Sequence, residues 1–183
     1  MADKSTQRKP TKAQIKEQTA RILEVVEEHK RLVKKGEGCT AVTPEDIERK
    51  LTRTNSPMIV SQTGSWTVPT PAGGTFTYNL GLFNPDPTDA VWLFAHVWVG
   101  SGNVDPVPGT FLLNVDPRFP RVTLPAFAGL TLPANGSTVL TFNIKVPARV
   151  QKTNYLGNSC LMQVNWHDVG QYLDRGVFVF TVS

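Results

Sequence analysis

Across most of Pro57–Ser183 the apolar residues fall at every second position, and this restricts the stretch to half-buried β-strands. Successive side chains of a strand point to opposite faces, so period two means one wet face and one dry face. In Thr75–Phe83, Phe76, Tyr78, Leu80 and Leu82 share a face. In Ser137–Val146, Leu140, Phe142, Ile144 and Val146 point one way while Thr141, Asn143 and Lys145 point the other. In Ser159–His167, Cys160, Met162, Val164 and Trp166 align. Further candidate strands are Met58–Gln62, Ser65–Val68, Val91–Val99, Thr110–Val115, Arg121–Leu124 and Arg175–Val182. Clusters such as Asn84–Pro87 and Pro133–Gly136 supply turns between them. Many short strands without a βαβ pattern predict a mainly β chain, an immunoglobulin-like or jelly-roll β-sandwich.

One strand does not alternate. In Val91–Val99 the set Val91, Leu93, Ala95, Val97 and Val99 is apolar, and so is most of the opposite set, Trp92, Phe94, His96 and Trp98. A sandwich strand needs only one buried face. Something must therefore cover the second one, either the protein's own helical segment or another molecule. Three large aromatic side chains there could contribute several kcal/mol, at roughly 25 cal/mol per Å² buried.

Residues 1–56 read differently, as a basic helical arm attached to a β domain at 57–183. Residues 1–10 carry Lys4, Arg8 and Lys9 and nothing that can form a core. A helix is expected over about 11–35. Thr11 and Gln14 form a capping box, and Ile15, Thr19, Ile22, Val26, His29 and Val33 repeat at steps of four and three. Leu23, Val25 and Leu32 widen the seam, and Glu17–Arg21 and Glu27–Arg31 are spaced as i,i+4 pairs. A second helix is expected over about 44–52, with Thr43 as cap, Pro44 in its first position, and Ile47 and Leu51 on one face.

Charge follows the same division. Met1–Ser56 holds 13 Lys+Arg against 9 Asp+Glu, and Pro57–Ser183 holds six of each, so the formal net charge of +4 belongs to the arm. All seven Glu lie at or before Glu48. The β region is charged at roughly a tenth of its positions, against about a quarter in an average domain, which points to a surface partly covered by partners. In the arm, Lys4, Arg8, Lys9, Lys12 and Lys16 could meet nucleic acid. Five acids, Asp3, Glu17, Glu24, Glu27 and Glu28, dilute that charge.

Chemistry-bearing motifs are sparse. No G-x-S-x-G, H-E-x-x-H, P-loop or C-x-x-C occurs, and no cofactor, metal or enzymatic activity is expected. Asn165, His167 and Asp168, with Asp174 nearby, form a polar cluster that reads as a strand-end turn. Asp86 and Asp89 fall short of a calcium loop. Asn135-Gly136-Ser137 matches a glycosylation sequon but reads more simply as a turn. Cys39 and Cys160 read as one exposed and one core thiol. No apolar stretch is long enough to span a membrane, and no signal peptide follows the N-terminal Lys and Arg residues. The chain as written is thus expected in the cytoplasm, or as part of an assembled particle.

Two stretches carry a resemblance. Pro71–Pro85, PAGGTFTYNLGLFNP, and Leu132–Pro147, LPANGSTVLTFNIKVP, together resemble bacterial immunoglobulin-like repeats of the cell-adhesion-related, CARDB-like kind. The shared elements are turn residues flanking alternating strands. The resemblance implies a β-sandwich module of a type that is usually secreted and that presents ligands or links domains. This chain departs from that pattern in its helical arm and in lacking a signal peptide.

Three readings follow. The first is a non-catalytic structural or interaction protein that self-assembles, as a homo-oligomer or with a protein partner, through Ile15, Ile22, Val26 and Val33 of the arm and Trp92, Phe94 and Trp98 of the sandwich. The second is a small jelly-roll coat protein whose arm contacts nucleic acid. The third is a carbohydrate-binding module using Trp66, Trp92, Trp98 or Trp166.

Overall fold

Alternation turns into two antiparallel sheets packed face to face in the computed structural model, which describes residues 10–100, 116–125, 129–164 and 170–183. The elements run α1 (Lys12–Arg31), β1 (Gly38–Ala41), α2 (Pro44–Arg53), β2 (Met58–Gly64), a 3-10 turn (Ser65–Thr67), β3 (Thr75–Phe83), β4 (Ala90–Gly100), β5 (Val122–Leu124), β6 (Leu130–Leu132), β7 (Ser137–Lys145), β8 (Asn154–Gln163) and β9 (Gln171–Thr181). The first sheet is ordered β1-β2-β3-β7, and the second β5-β4-β8-β9 with β6 also paired to β4. The core order β2-β3-β7 over β4-β8-β9 is the immunoglobulin-like arrangement, so of the two sandwiches anticipated it is this one that forms.

The core lies between the sheets. Phe76, Tyr78, Leu80 and Leu82 of β3 meet Leu93, Ala95, Val97 and Val99 of β4, with Phe142 and Ile144 of β7 and Phe178 and Phe180 of β9. Phe178 stacks on Tyr78 at 4.2 Å between ring centres, and Phe76 lies 4.7 Å from Phe180. The Tyr78 hydroxyl crosses the layer, donating to Gln62 Oε1 at 2.7 Å and standing 2.9 Å from Ser159 Oγ.

Thr75–Phe83 falls where alternation placed it, and both capping boxes form: Gln14 N–H donates to Thr11 Oγ1, and Asp46 N–H to Thr43 Oγ1. Several expectations need correction. The first helix ends at Arg31 rather than Lys35, because the Glu37 carboxylate accepts the Lys34 N–H and ties the chain into a turn, leaving Val33 beyond the helix. Glu27 pairs with Lys30 at 2.6 Å instead of Arg31, whereas Glu17–Arg21 forms at 2.7 Å. Ser65–Val68 is not a strand. Gly64 at φ 133° turns the chain, and mutual Ser65–Thr77 hydrogen bonds hold the 3-10 turn. β8 begins five residues earlier than expected, with Asn154 pairing Thr181. Cys39 lies on β1, an edge strand paired with β2 that was not among the expected strands. Val91 does not share the face of Leu93: β4 is irregular between Ala90 and Leu93, Trp92 has φ 58°, and Val91 is exposed. The expected strand Thr110–Val115 lies outside the described residues.

Candidate interaction surfaces

A two-sheet sandwich has two outer faces, and here they are finished in different ways. On the first sheet, an irregularity in β2 between Ile59 and Ser61 breaks the strict alternation. Ile59 stays in the core, while Val60 packs against the helices and Ser61 meets His29 of α1. Met58, Val60 and Phe83 then form an apolar strip, which meets Ile22 and Val26 of α1 and Ile47 and Leu51 of α2. All seven of these side chains are at most 2% exposed, and each contributes roughly 1.5–3 kcal/mol. Ile15 packs at the margin of this cluster, and Val33 is half-buried past the helix end.

Polar contacts pin the arm at three further points. Gln18 Nε2 donates to Asn135 Oδ1 at 2.6 Å, in the Pro133–Gly136 turn. His29 Nδ1 stands 2.8 Å from Ser61 Oγ, with the imidazole buried. Lys50 of α2 pairs with Asp174 of β9. Burial lowers the His29 pKa from its ordinary value, partly offset by the neighbouring Glu28.

The arm thus seals the first sheet, whereas the strand with two apolar faces, β4, belongs to the second. The outward row of the second sheet runs Phe94, His96 and Trp98 on β4, Leu156, Asn158, Cys160 and Met162 on β8, and Val177 and Val179 on β9. Cross-strand pairing brings Trp98 beside Asn158 and Asn158 beside Val177. Trp98 is buried, with the Arg121 guanidinium 6.0 Å from its ring centre. Trp92, Phe94, Leu156 and Met162 are half-buried. Val177 and Val179 are 42% and 53% exposed. Asn158 is buried, and its Oδ1 has no hydrogen-bond partner among the described residues.

Two cations border this face, Arg121 over Trp98 and the exposed Arg175 opposite Cys160. His96 Nδ1 lies 2.8 Å from Thr123 Oγ1, and burial, aided by Arg121, holds the imidazole pKa below its usual value. Burial pushes the Cys160 thiol up to about 12. Neither group is poised for nucleophilic work, since a useful thiol has a lowered pKa.

Lys12 and Lys16 are exposed on α1, while Lys4, Arg8 and Lys9 lie outside the described residues. Asn165, Trp166, His167 and Asp168 lie outside them too, and Asp174 faces Lys50. Asp86 accepts from Thr88 and braces its own loop, while Asp89 accepts the Ala134 N–H and ties that loop to the Pro133–Gly136 turn. Among the described residues no group of three or more His, Cys, Asp or Glu side chains could hold a metal, and no helix is long and apolar enough to cross a membrane. Trp66 is buried against Phe178, so neither it nor Trp98 presents an open ring face. The outward position of Val177 and Val179 was legible in the alternation of β9. The orphaned Asn158 was not, because its burial depends on neighbouring strands.

No family model matches the chain, and no curated protein does. Solved structures do. The C-terminal domain of wzt is similar at TM-score 0.54 and 9% identity, covering 82% of this chain and 80% of that one. The CARDB domain of the PF1109 protein from Pyrococcus furiosus, solved with di-metal ions, is similar at TM-score 0.39 and 14% identity, covering 69% and 90%. A PapD-like domain of human CEP192 is similar at TM-score 0.35 and 13% identity, covering 81% and 85%. The likeness to the wzt domain bears on the fold alone and agrees with the two-sheet sandwich described above.

Proposed function

We propose that this protein is a non-catalytic interaction module that self-associates through the outer face of its second sheet, while its arm serves to seal the first. The observation that carries this reading is the contrast between the two faces. One apolar strip is buried under the chain's own helices. The other carries aromatic and aliphatic side chains, with Val177 and Val179 exposed. The near absence of charge in the β region suits a surface that is desolvated on association.

Sedimentation of the full chain at micromolar concentration tests this. The expected result is a species larger than one chain that dissociates in a Val177→Asp/Val179→Asp double variant retaining wild-type circular dichroism. A monomer up to roughly 100 μM, where even a Kd worth only about 5–6 kcal/mol would show, overturns it.

A further inference from the structure

The imidazole of His29 lies in a slot of unusual tightness. It projects from the last turn of α1 onto the first sheet, where it is 5% exposed. Its Nδ1 is 2.8 Å from Ser61 Oγ, which the β2 irregularity brings to the arm side. Beneath it is Gly81 of β3, and a Cβ there would stand 2.3 Å from Nδ1 and 2.1 Å from Ser61 Oγ. Only glycine lets the ring lie this close to the sheet. The contact closes the C-terminal end of the same helix whose Ile22 and Val26 cover Met58, Val60 and Phe83.

We propose that the His29–Ser61 contact is a proton-operated latch on the arm: the neutral ring holds α1 on the first sheet, and protonation loosens it, uncovering the apolar strip beneath. The proposal concerns the first sheet and does not depend on association through the second.

The surroundings set the sign. A groove of about 390 Å³ beside the ring is lined by Lys34 and Glu37 from the loop after α1. The strands β2, β3 and β7 present only neutral side chains to it: Ser61, Thr63, Thr77, Asn79, Val139 and Thr141. Within α1, Glu28 and the carbonyl end of the helix favour a charged ring. Burial disfavours it and is the larger effect, so the docked ring has the lower pKa. The undocked arm binds the proton more readily. Docking is thus undiminished above the free imidazole value of about 6.5 and weakens as pH falls below it, by up to tenfold per pH unit for one linked proton.

Hydrogen exchange of the full chain between about pH 7.5 and 5 tests this, with rates corrected for intrinsic chemistry. Protection of the α1 amides is expected to fall below about pH 6.5, by up to tenfold per unit, while that of β3 and β8 holds. His29→Gln, which keeps a hydrogen-bonding side chain without titrating, should remove the pH dependence, and His96→Gln should leave it intact. If α1 protection tracks β3 and β8 throughout, or if His29→Gln keeps the wild-type profile, the latch is overturned. Should His29→Gln already detach the arm at neutral pH, an NMR titration of the wild-type ring decides. A His29 pKa below that of a peptide spanning residues 10–35 supports the latch, and equal values overturn it.

Discussion

Lys50 of α2 donates to the Asp174 carboxylate of β9, and the same carboxylate oxygen accepts the Ile59 N–H of β2 at 2.8 Å. One side chain therefore joins the arm, the first sheet and the edge of the second. The two partners are 25% and 13% exposed, so the pair is shielded enough to count. Asp174→Ala should cost about 1–3 kcal/mol, since it leaves the Ile59 N–H without its acceptor and Lys50 with only the Ile59 carbonyl. Lys50→Met should cost less, because its stem still packs and Asp174 retains the Ile59 N–H. Urea unfolding of both variants checks the order, and equal losses would mean that the amide contact carries nothing.

The Tyr78 hydroxyl is a donor buried completely between the sheets, and its burial raises the phenol pKa well above the usual range. It therefore stays protonated at any pH the fold survives. Tyr78→Phe keeps the ring on Phe178 but leaves Gln62 Oε1 and Ser159 Oγ short of a partner. A loss of about 1–3 kcal/mol is expected, read from the denaturation midpoint.

Both cysteines are free, with Cys39 exposed and Cys160 buried. Thiol titration of the native chain near pH 8 should count one reactive group. Cys39→Ser should bring that count to zero, and unfolding should expose the second thiol. Fast labelling of Cys160 in the native state would mean that the second sheet opens readily on its outer side.

Acid should destabilise the protein at identifiable places. Asp46 is held below the usual carboxylate range chiefly by the Thr43 N–H, and Asp116 by the Arg118 side chain. A depressed folded-state pKa contributes stability that is present above the unfolded value near 3.9 and is lost as pH falls through the folded value. Melting temperature should therefore drop below about pH 4, and Asp46→Asn, which cannot titrate, should shallow that slope. An unchanged slope would move the acid sensitivity elsewhere.

Much of this architecture was written in local patterns. Alternation is a local property, so β3 and the centre of β4 could be placed from Phe76, Tyr78, Leu80 and Leu82 and from Leu93, Ala95 and Val97 alone. The capping boxes were equally local, each needing only a Thr and a side chain three residues on. What alternation could not reveal was its own interruption: Val91 and Ser61 sit beside irregularities that only the partner strands impose. Nor could it assign the cover. The doubled apolar character of Val91–Val99 showed that an outer face exists to be covered, but which sheet the arm lies on depends on contacts of Ile22 and Val26 with Met58, Val60 and Phe83, far along the chain. The orphaned Asn158 and the close approach of His29 to Gly81 are likewise products of packing, invisible to any window of sequence.

The arm's apolar partners, Met58, Val60 and Phe83, all precede β4 in the chain. As the polypeptide emerges from the ribosome, α1, α2 and the β2–β3 pair can therefore close over one another before the second sheet exists. That pair is shielded as it forms. The second sheet gains β8 and β9 only later, so its outer face takes shape after the first is already covered.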